Sequence, residues 1–270
     1  MKLLTEKIQK IAEQYGGSWG IVLEDLDRGD KWEWQADEIF YAASIIKVPI
    51  MVAAYDALEK KEISFSDTVR LNREELVGGS GVLQHLSPGM TSLTIYDLVV
   101  LMIVQSDNTA TNMLIDLLGV DKIKKVMTDH GWTNSKCYNK LMTIPVEREG
   151  SNIINANEMS MMLKQMVTGK LVSAHACEEM ITIMKKQQIR DSLPGKLPSP
   201  EADIIGGQPT WELANKTGNI TKVRHDIGIF YVEKRTFIAT ILSRGIDDYQ
   251  SIIALQNMGL EIFNYLKKWQ

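Results

Sequence analysis

The chain has 270 residues, of which 44% are hydrophobic and 24% charged, and its formal net charge is −4. That balance excludes a disordered chain, and only 19 glycines and 7 prolines exclude a collagen-like or low-complexity one. A near-neutral charge argues against a general nucleic-acid binder, and the length suits one large domain or two lobes around a shared core.

Leu4, Ile8, Ile11 and Tyr15 recur at helical spacing, and Gly16-Gly17 ends that predicted helix. Two strand-like runs follow, Ser18–Leu23 and Lys31–Gln35, separated by the turn signal Asp27-Arg28-Gly29-Asp30. From Ser44 to about Lys60 the chain is apolar for longer than a strand, which predicts a buried helix, with Pro49 in its tolerant first turns. A glycine-rich loop, Val77–Gly81, precedes an apolar segment at Thr94–Gln105. Helical patterns then cover Thr111–Leu118, Val120–His130, Asn157–Thr168 and Ala174–Lys186, before a loop rich in Pro and Gly from Asp191 to Gly207. Asp226–Val232 and Thr236–Leu242 read as a hairpin about Glu233-Lys234-Arg235, and Ile252–Leu266 closes the chain as a helix. Strands near both ends and helices between them form an α+β pattern rather than alternating βαβ units. One antiparallel sheet built from the N- and C-terminal segments is expected (about 1–43 and 212–270), with flanking helices and an all-helical lobe (about 44–211).

Cys137 and Cys177 are too few for a disulfide framework, and the four histidines lack metal-ligand spacing, so no metal or cofactor is expected. No run approaches the roughly 20 apolar residues of a membrane span. The N-terminal decapeptide, interrupted by Glu6, Lys7 and Lys10, is not a signal peptide. The sequence as it stands therefore reads as cytoplasmic, or as secreted or periplasmic had a leader been removed; the oligomeric state is not legible.

Three short motifs carry chemistry. In Ser44-Ile45-Ile46-Lys47, positions i and i+3 of a helix share a face, so the lysine amine can reach the serine hydroxyl. Ile45, Ile46, Val48 and Ile50 would desolvate Lys47 and lower its pKa toward that of a base, and a serine near a helix start offers its N–H to an oxyanion. Alone, such a pair arises by chance about once in a chain of this length. Ser106-Asp107-Asn108 reads either as a helix cap or as a proton relay (Ser106) with an amide ligand (Asn108). Lys216-Thr217-Gly218 reads either as a strand entry or as a carboxylate-binding cation and hydroxyl beside a glycine that admits substrate.

These motifs occur in one order, 62 residues apart (44 to 106) and then 110 (106 to 216). The set resembles the penicillin-recognising serine enzymes, with separations similar to those of class A β-lactamases. The likeness extends over Leu93–Leu98 and Thr109–Asn112 and over the terminal helices. It implies an acyl-enzyme hydrolase without metal or cofactor, acting on a β-lactam or another carboxylate-bearing acyl substrate. By that resemblance Ser44 is the nucleophile, Lys47 its base, Ser106 the relay and Asn108 the amide ligand. Lys216 and Thr217 would bind the carboxylate, and Ser44 and Asn219 would supply the oxyanion N–H groups.

One family feature is missing. Class A enzymes carry a Glu-x-x-Leu-Asn segment whose glutamate activates the deacylating water, and no glutamate here is followed by Leu-Asn at that spacing. Counting back without gaps from the next helix puts Asn139 near the glutamate's place, and Glu147 and Glu149 are the nearest acids, either substitute bases or surface charges. Loss of a positioned base can cost roughly 10²–10⁴-fold. That leaves a β-lactamase with slow deacylation, and two alternatives: a serine esterase or D-Ala-type peptidase, or a covalent β-lactam-binding sensor. Arg224 and His225 stand open between a carboxylate ligand and a surface role.

Overall fold

The computed structural model describes residues 1–142, 150–200 and 209–267. Helix α1 (Lys2–Tyr15) leads into β1 (Ser18–Asp25), β2 (Asp30–Trp34) and the short β3 (Phe40–Tyr41). After a single 3₁₀ turn at Ala43–Ile46 come α2 (Lys47–Glu59), β4 (Thr68–Arg70), β5 (Ser92–Thr94) and α3 (Ile95–Val104). Then follow α4 (Asn108–Leu118), α5 (Val120–Asp129), β6 (Ile153–Ile154), α6 (Ala156–Val167) and α7 (Ala174–Lys185). The chain finishes with β7 (Trp211–Ile220), β8 (Val223–Val232), β9 (Arg235–Arg244) and α8 (Asp248–Lys267).

The main sheet is antiparallel, in the order β2-β1-β9-β8-β7, so the first strands pair with the last three as the sequence predicts. Its two faces follow the strand period of two. On β8, Ile227 and Ile229 face the helical core while Phe230 and Val232 face α1 and α8; on β9, Ile238 and Leu242 oppose Phe237, Ala239 and Ile241. Helix α2 runs through the larger core with ten of its 13 residues buried. Its apolar surface has no solvent side, which is why composition marked it and periodicity did not.

Two expectations change. Ser44 does not open an α-helix: it lies in the 3₁₀ turn, and α2 starts at Lys47. The Lys216 motif is not a strand entry but the middle of the ten-residue β7, whose sequence Asn-Lys-Thr-Gly-Asn disfavours strand intrinsically and is held by pairing with β8 over its whole length. No described helix is long and apolar enough to cross a membrane.

Candidate active site

The site forms where the turn before α2, the start of α4 and the edge strand β7 meet. Ser44 is half-buried and lines a cavity of about 450 Å³ together with Asn108 and Asn219. Beneath it Lys47 is fully buried, with Nζ 2.6 Å from the Ser106 carbonyl, 2.8 Å from Asn108 Oδ1 and 3.1 Å from Ser106 Oγ. Burial pushes the Lys47 ammonium well below its ordinary value; the charge of Lys216 adds to this and Asp107 opposes it. A neutral amine has two N–H donors and one lone pair. In the ammonium three N–H donors fill all three contacts; in the neutral form the two pure acceptors would take the donors and the lone pair would face the Ser106 hydroxyl.

Lys216, also fully buried, places Nζ 3.0 Å from the same Ser106 Oγ and 2.7 Å from the Thr217 carbonyl. Burial holds it down at about 7, with Asp226 pulling the other way. Ser106 Oγ is thus bracketed by two lysine amines. The Ser44 hydroxyl makes no hydrogen bond among the described residues, so the direct Ser44–Lys47 contact expected from helical spacing is not formed here. Thr217 is buried, and its carbonyl, not its hydroxyl, is what meets Lys216.

Gly218 has a different neighbour from the one expected. A Cβ there would lie 3.1 Å from Ile45 N and 3.2 Å from Ser44 N, so the glycine lets β7 approach the backbone of the nucleophile turn. Because β7 is the sheet edge, alternate N–H groups of this strand point away from β8 and toward that turn. The Ser44 N–H and the strand at Asn219 flank the same cavity.

The middle residue of the second motif, Asp107, is the one that takes the helix-cap role the motif offered. Its Oδ1 caps α4 by accepting Ala110 N–H at 2.9 Å, and its Oδ2 accepts Val82 and Leu83 N–H at 2.7 and 2.8 Å. One carboxylate therefore serves as helix cap and as anchor for the glycine-rich loop, leaving Ser106 and Asn108 for the site. The loop closes down on it: a Cβ at Gly81, whose φ is +109°, would lie 2.3 Å from the Asp107 carboxylate. Ser80 accepts the Asn108 N–H at 3.0 Å, and Asn108 Nδ2 donates one proton to the Gly78 carbonyl at 3.0 Å, keeping its second for a ligand. The dense glycines of Val77–Gly81 were the sequence signal for this packing.

The loop after α5 enters the cavity through Leu141 and Met142. Leu141 is clamped at both backbone groups by Asn112, whose Oδ1 accepts its N–H at 2.7 Å and whose Nδ2 donates to its carbonyl at 2.8 Å. Asn139 instead faces Asn152, which accepts the Tyr138 and Asn139 N–H groups and donates to the Asn139 carbonyl. Asn139, which the gap-free count put near the glutamate's place, does not line the cavity, whereas Leu141, two residues on, does. Glu147 and Glu149 lie outside the described residues. Among the described residues no carboxylate lines the cavity.

Arg224 and His225 resolve differently. Arg224 pairs with Asp191 at 3.2 Å. His225 is buried, with Nε2 2.8 Å from the Tyr41 carbonyl and Nδ1 accepting Ser243 N–H at 3.1 Å; burial holds it down at about 4. It is a neutral cross-link between β3 and the sheet.

A β-lactamase from Rhodobacter capsulatus is 31% identical over 119 residues, covering 44% of this chain and 40% of that protein. A β-lactamase from Bacillus amyloliquefaciens is 24% identical over 250 residues, 90% of this chain and 76% of that protein. The crystal structure of a β-lactamase from Sphaerobacter thermophilus DSM 20745 superposes with a TM-score of 0.87 at 28% identity, covering 97% of this chain and 96% of that one. The first curated relatives are matched over less than half of their own length, 40–44%. The family profile described as the Beta-lactamase enzyme family matches residues 3–266, and the chain belongs to that family.

Proposed function

We propose that the protein is a serine hydrolase that opens β-lactams through an acyl-enzyme on Ser44. The observation that supports this most is the buried Lys47–Ser106–Lys216 cluster directly under the Ser44 cavity. The Ser44 oxygen attacks the lactam carbonyl while its proton passes to the neutral Lys47 amine. The C–N bond breaks as the Ser106 hydroxyl proton goes to the departing nitrogen, and Lys47 restores the Ser106 proton. The Ser44 N–H and the N–H at Asn219 would hold the oxyanion, Asn108 the substrate amide, and Lys216 and Thr217 its carboxylate. Water then cleaves the Ser44 ester. The apolar pair Leu141 and Met142 at the place where a water-activating carboxylate would stand favours slow deacylation.

A chromogenic cephalosporin assay coupled to intact-protein mass spectrometry tests this. Wild type is expected to gain one acyl mass and lose it with slow turnover, and Ser44→Ala to do neither. Acylation or turnover surviving in Ser44→Ala would refute the nucleophile. Acylation without any release would leave a covalent binder, and turnover of D-Ala-terminated esters without attack on β-lactams would make it a peptidase-type esterase.

A further inference from the structure

Asp226 on β8 has no part in this scheme, yet it is a fully buried carboxylate. Its Oδ2 accepts Leu193 N–H at 3.0 Å and its Oδ1 accepts Asn215 Nδ2–H at 2.9 Å. Asn215 directly precedes Lys216 on β7, and Thr217, directly after it, pairs with Asp226 across the ladder. By that register the carboxylate lies on the sheet face shared by Asn215 and Thr217, one residue to either side of Lys216, whose own side chain leaves the opposite face. The contacts of Lys216 Nζ, a hydroxyl and a carbonyl, are uncharged. A buried ammonium needs a counter-charge to stay protonated.

We propose that Asp226 is a positioning residue, a buried counter-charge that keeps Lys216 an ammonium and so commits the site to acyl donors bearing a carboxylate. The proposal rests on the reading of Lys216 as the carboxylate-binding cation. Burial works against both partners, holding Asp226 up at about 7 and Lys216 down at about 7, and each charge offsets the other's penalty. The remaining groups around the pair are accounted for. Lys47 faces Lys216 across Ser106, and Asp107 lies beyond Lys47. Asp191, which pushes Asp226 up, is paired with Arg224, and His225 is neutral on the opposite face of β8.

Asp226→Asn keeps the shape. The new amide oxygen can accept Leu193 N–H, and its nitrogen can donate to Asn215 Oδ1, a buried atom with no partner in the native arrangement, once the Asn215 amide rotates. The test is kcat/KM from pH 5 to 9 for a carboxylate-bearing cephalosporin and for its methyl ester, in wild type and Asp226→Asn. The alkaline limb for the acid should move down by about one pH unit, the low end of what a nearby opposite charge does, while the ester profile stays in place. Asn215→Asp, which sets a second carboxylate beside the first, should move the acid's limb up. An unmoved limb in Asp226→Asn, an equal shift with the ester, or a downward shift in Asn215→Asp overturns the proposal. Lys216→Ala separates the two layers. If it erases the preference for acid over ester while Asp226→Asn moves nothing, only Asp226 is misassigned. If the preference survives Lys216→Ala, the reading of Lys216 fails and the role of Asp226 falls with it.

Discussion

Gly218→Ala isolates the contact between β7 and the nucleophile turn. The added methyl would sit 3.1 Å from Ile45 N and Cγ1 and 3.2 Å from Ser44 N, where ordinary contacts begin near 3.5 Å. The backbone must therefore yield by a few tenths of an ångström. It has little freedom to do so, because Ile45 N–H is bonded to the Ala42 carbonyl at 3.0 Å and Ala43 already sits at φ +43°. Oxyanion donors act at 2.7–3.1 Å from the developing charge, and removing one costs about 10²–10³-fold in kcat. Displacement without removal should cost less, about 10–10²-fold in kcat/KM, or about 1.4–2.8 kcal/mol of transition-state stabilisation. Gly78→Ala on the neighbouring loop is the control, since its nearest contact would be the end of the Gln84 side chain at 3.8 Å. Acylation rates from stopped-flow, read beside thermal melts, decide the matter. If Gly218→Ala acylates within twofold of wild type, or if its loss merely tracks global unfolding, the oxyanion argument for this strand is wrong.

The remaining predictions concern release and pH. Leu141→Glu puts a carboxylate into the cavity on a backbone that Asn112 already fixes at both ends, so adduct decay by mass spectrometry should speed up about 10²-fold, the low end of the range of a positioned base; Leu141→Gln should not do this. Unchanged decay with normal acylation would show that residue 141 is not where water is activated. His225, at about 4 when folded, must be protonated in the unfolded chain below its ordinary pKa near 6.5, so the stability it contributes is present above pH 6.5 and lost as pH falls toward 4. Asp226, held up at about 7, has the opposite slope over the same window, so the informative quantity is the difference between wild type and His225→Asn. That difference in urea unfolding should shrink by about 2–3 kcal/mol between pH 7 and 4.5, and parallel curves would contradict it.

What the sequence disclosed follows from the kind of physics each feature uses. The strands β8 and β9, buried on both faces and rich in β-branched and aromatic residues, were visible from local composition, and the helices with strong apolar stripes from one local period. β7 was invisible because its centre, Asn215–Asn219, is selected for the site and not for strand propensity; its pairing energy lies in β8, outside any window read along the chain. The three motifs named the residues that meet at Ser106 Oγ, since spacing in a sequence can carry residue types. It could not say that the capping Asp107 would also anchor the glycine-rich loop, nor that a loop would enter through Leu141, because those depend on which backbone groups two distant loops leave unpaired. Asn112, four residues beyond Asn108 on α4, carries no signal of its own in the sequence, yet its amide fixes the backbone of Leu141 at the cavity.

Backbone strain ties these observations together. Among the described non-glycine residues with positive φ, Ala43 and Met142 line the cavity and Ser106 lies between the two buried lysines, at +43°, +52° and +54°. Each costs on the order of 1–3 kcal/mol and persists only where neighbours over-determine it. The neighbours are identifiable. Ala42 and Ile45 bond across Ala43 at 3.0 Å, and Asn152 holds Ala42 N–H at 2.8 Å. Asp107, bonded to three N–H groups, fixes the residue after Ser106, and Asn112 fixes the residue before Met142. The side chains that do this contact no substrate in the proposed scheme; they hold Ser44, Ser106 and the loop in conformations the isolated chain would leave. In the proposed scheme acylation would then require little backbone movement, because these conformations are already fixed in the folded protein.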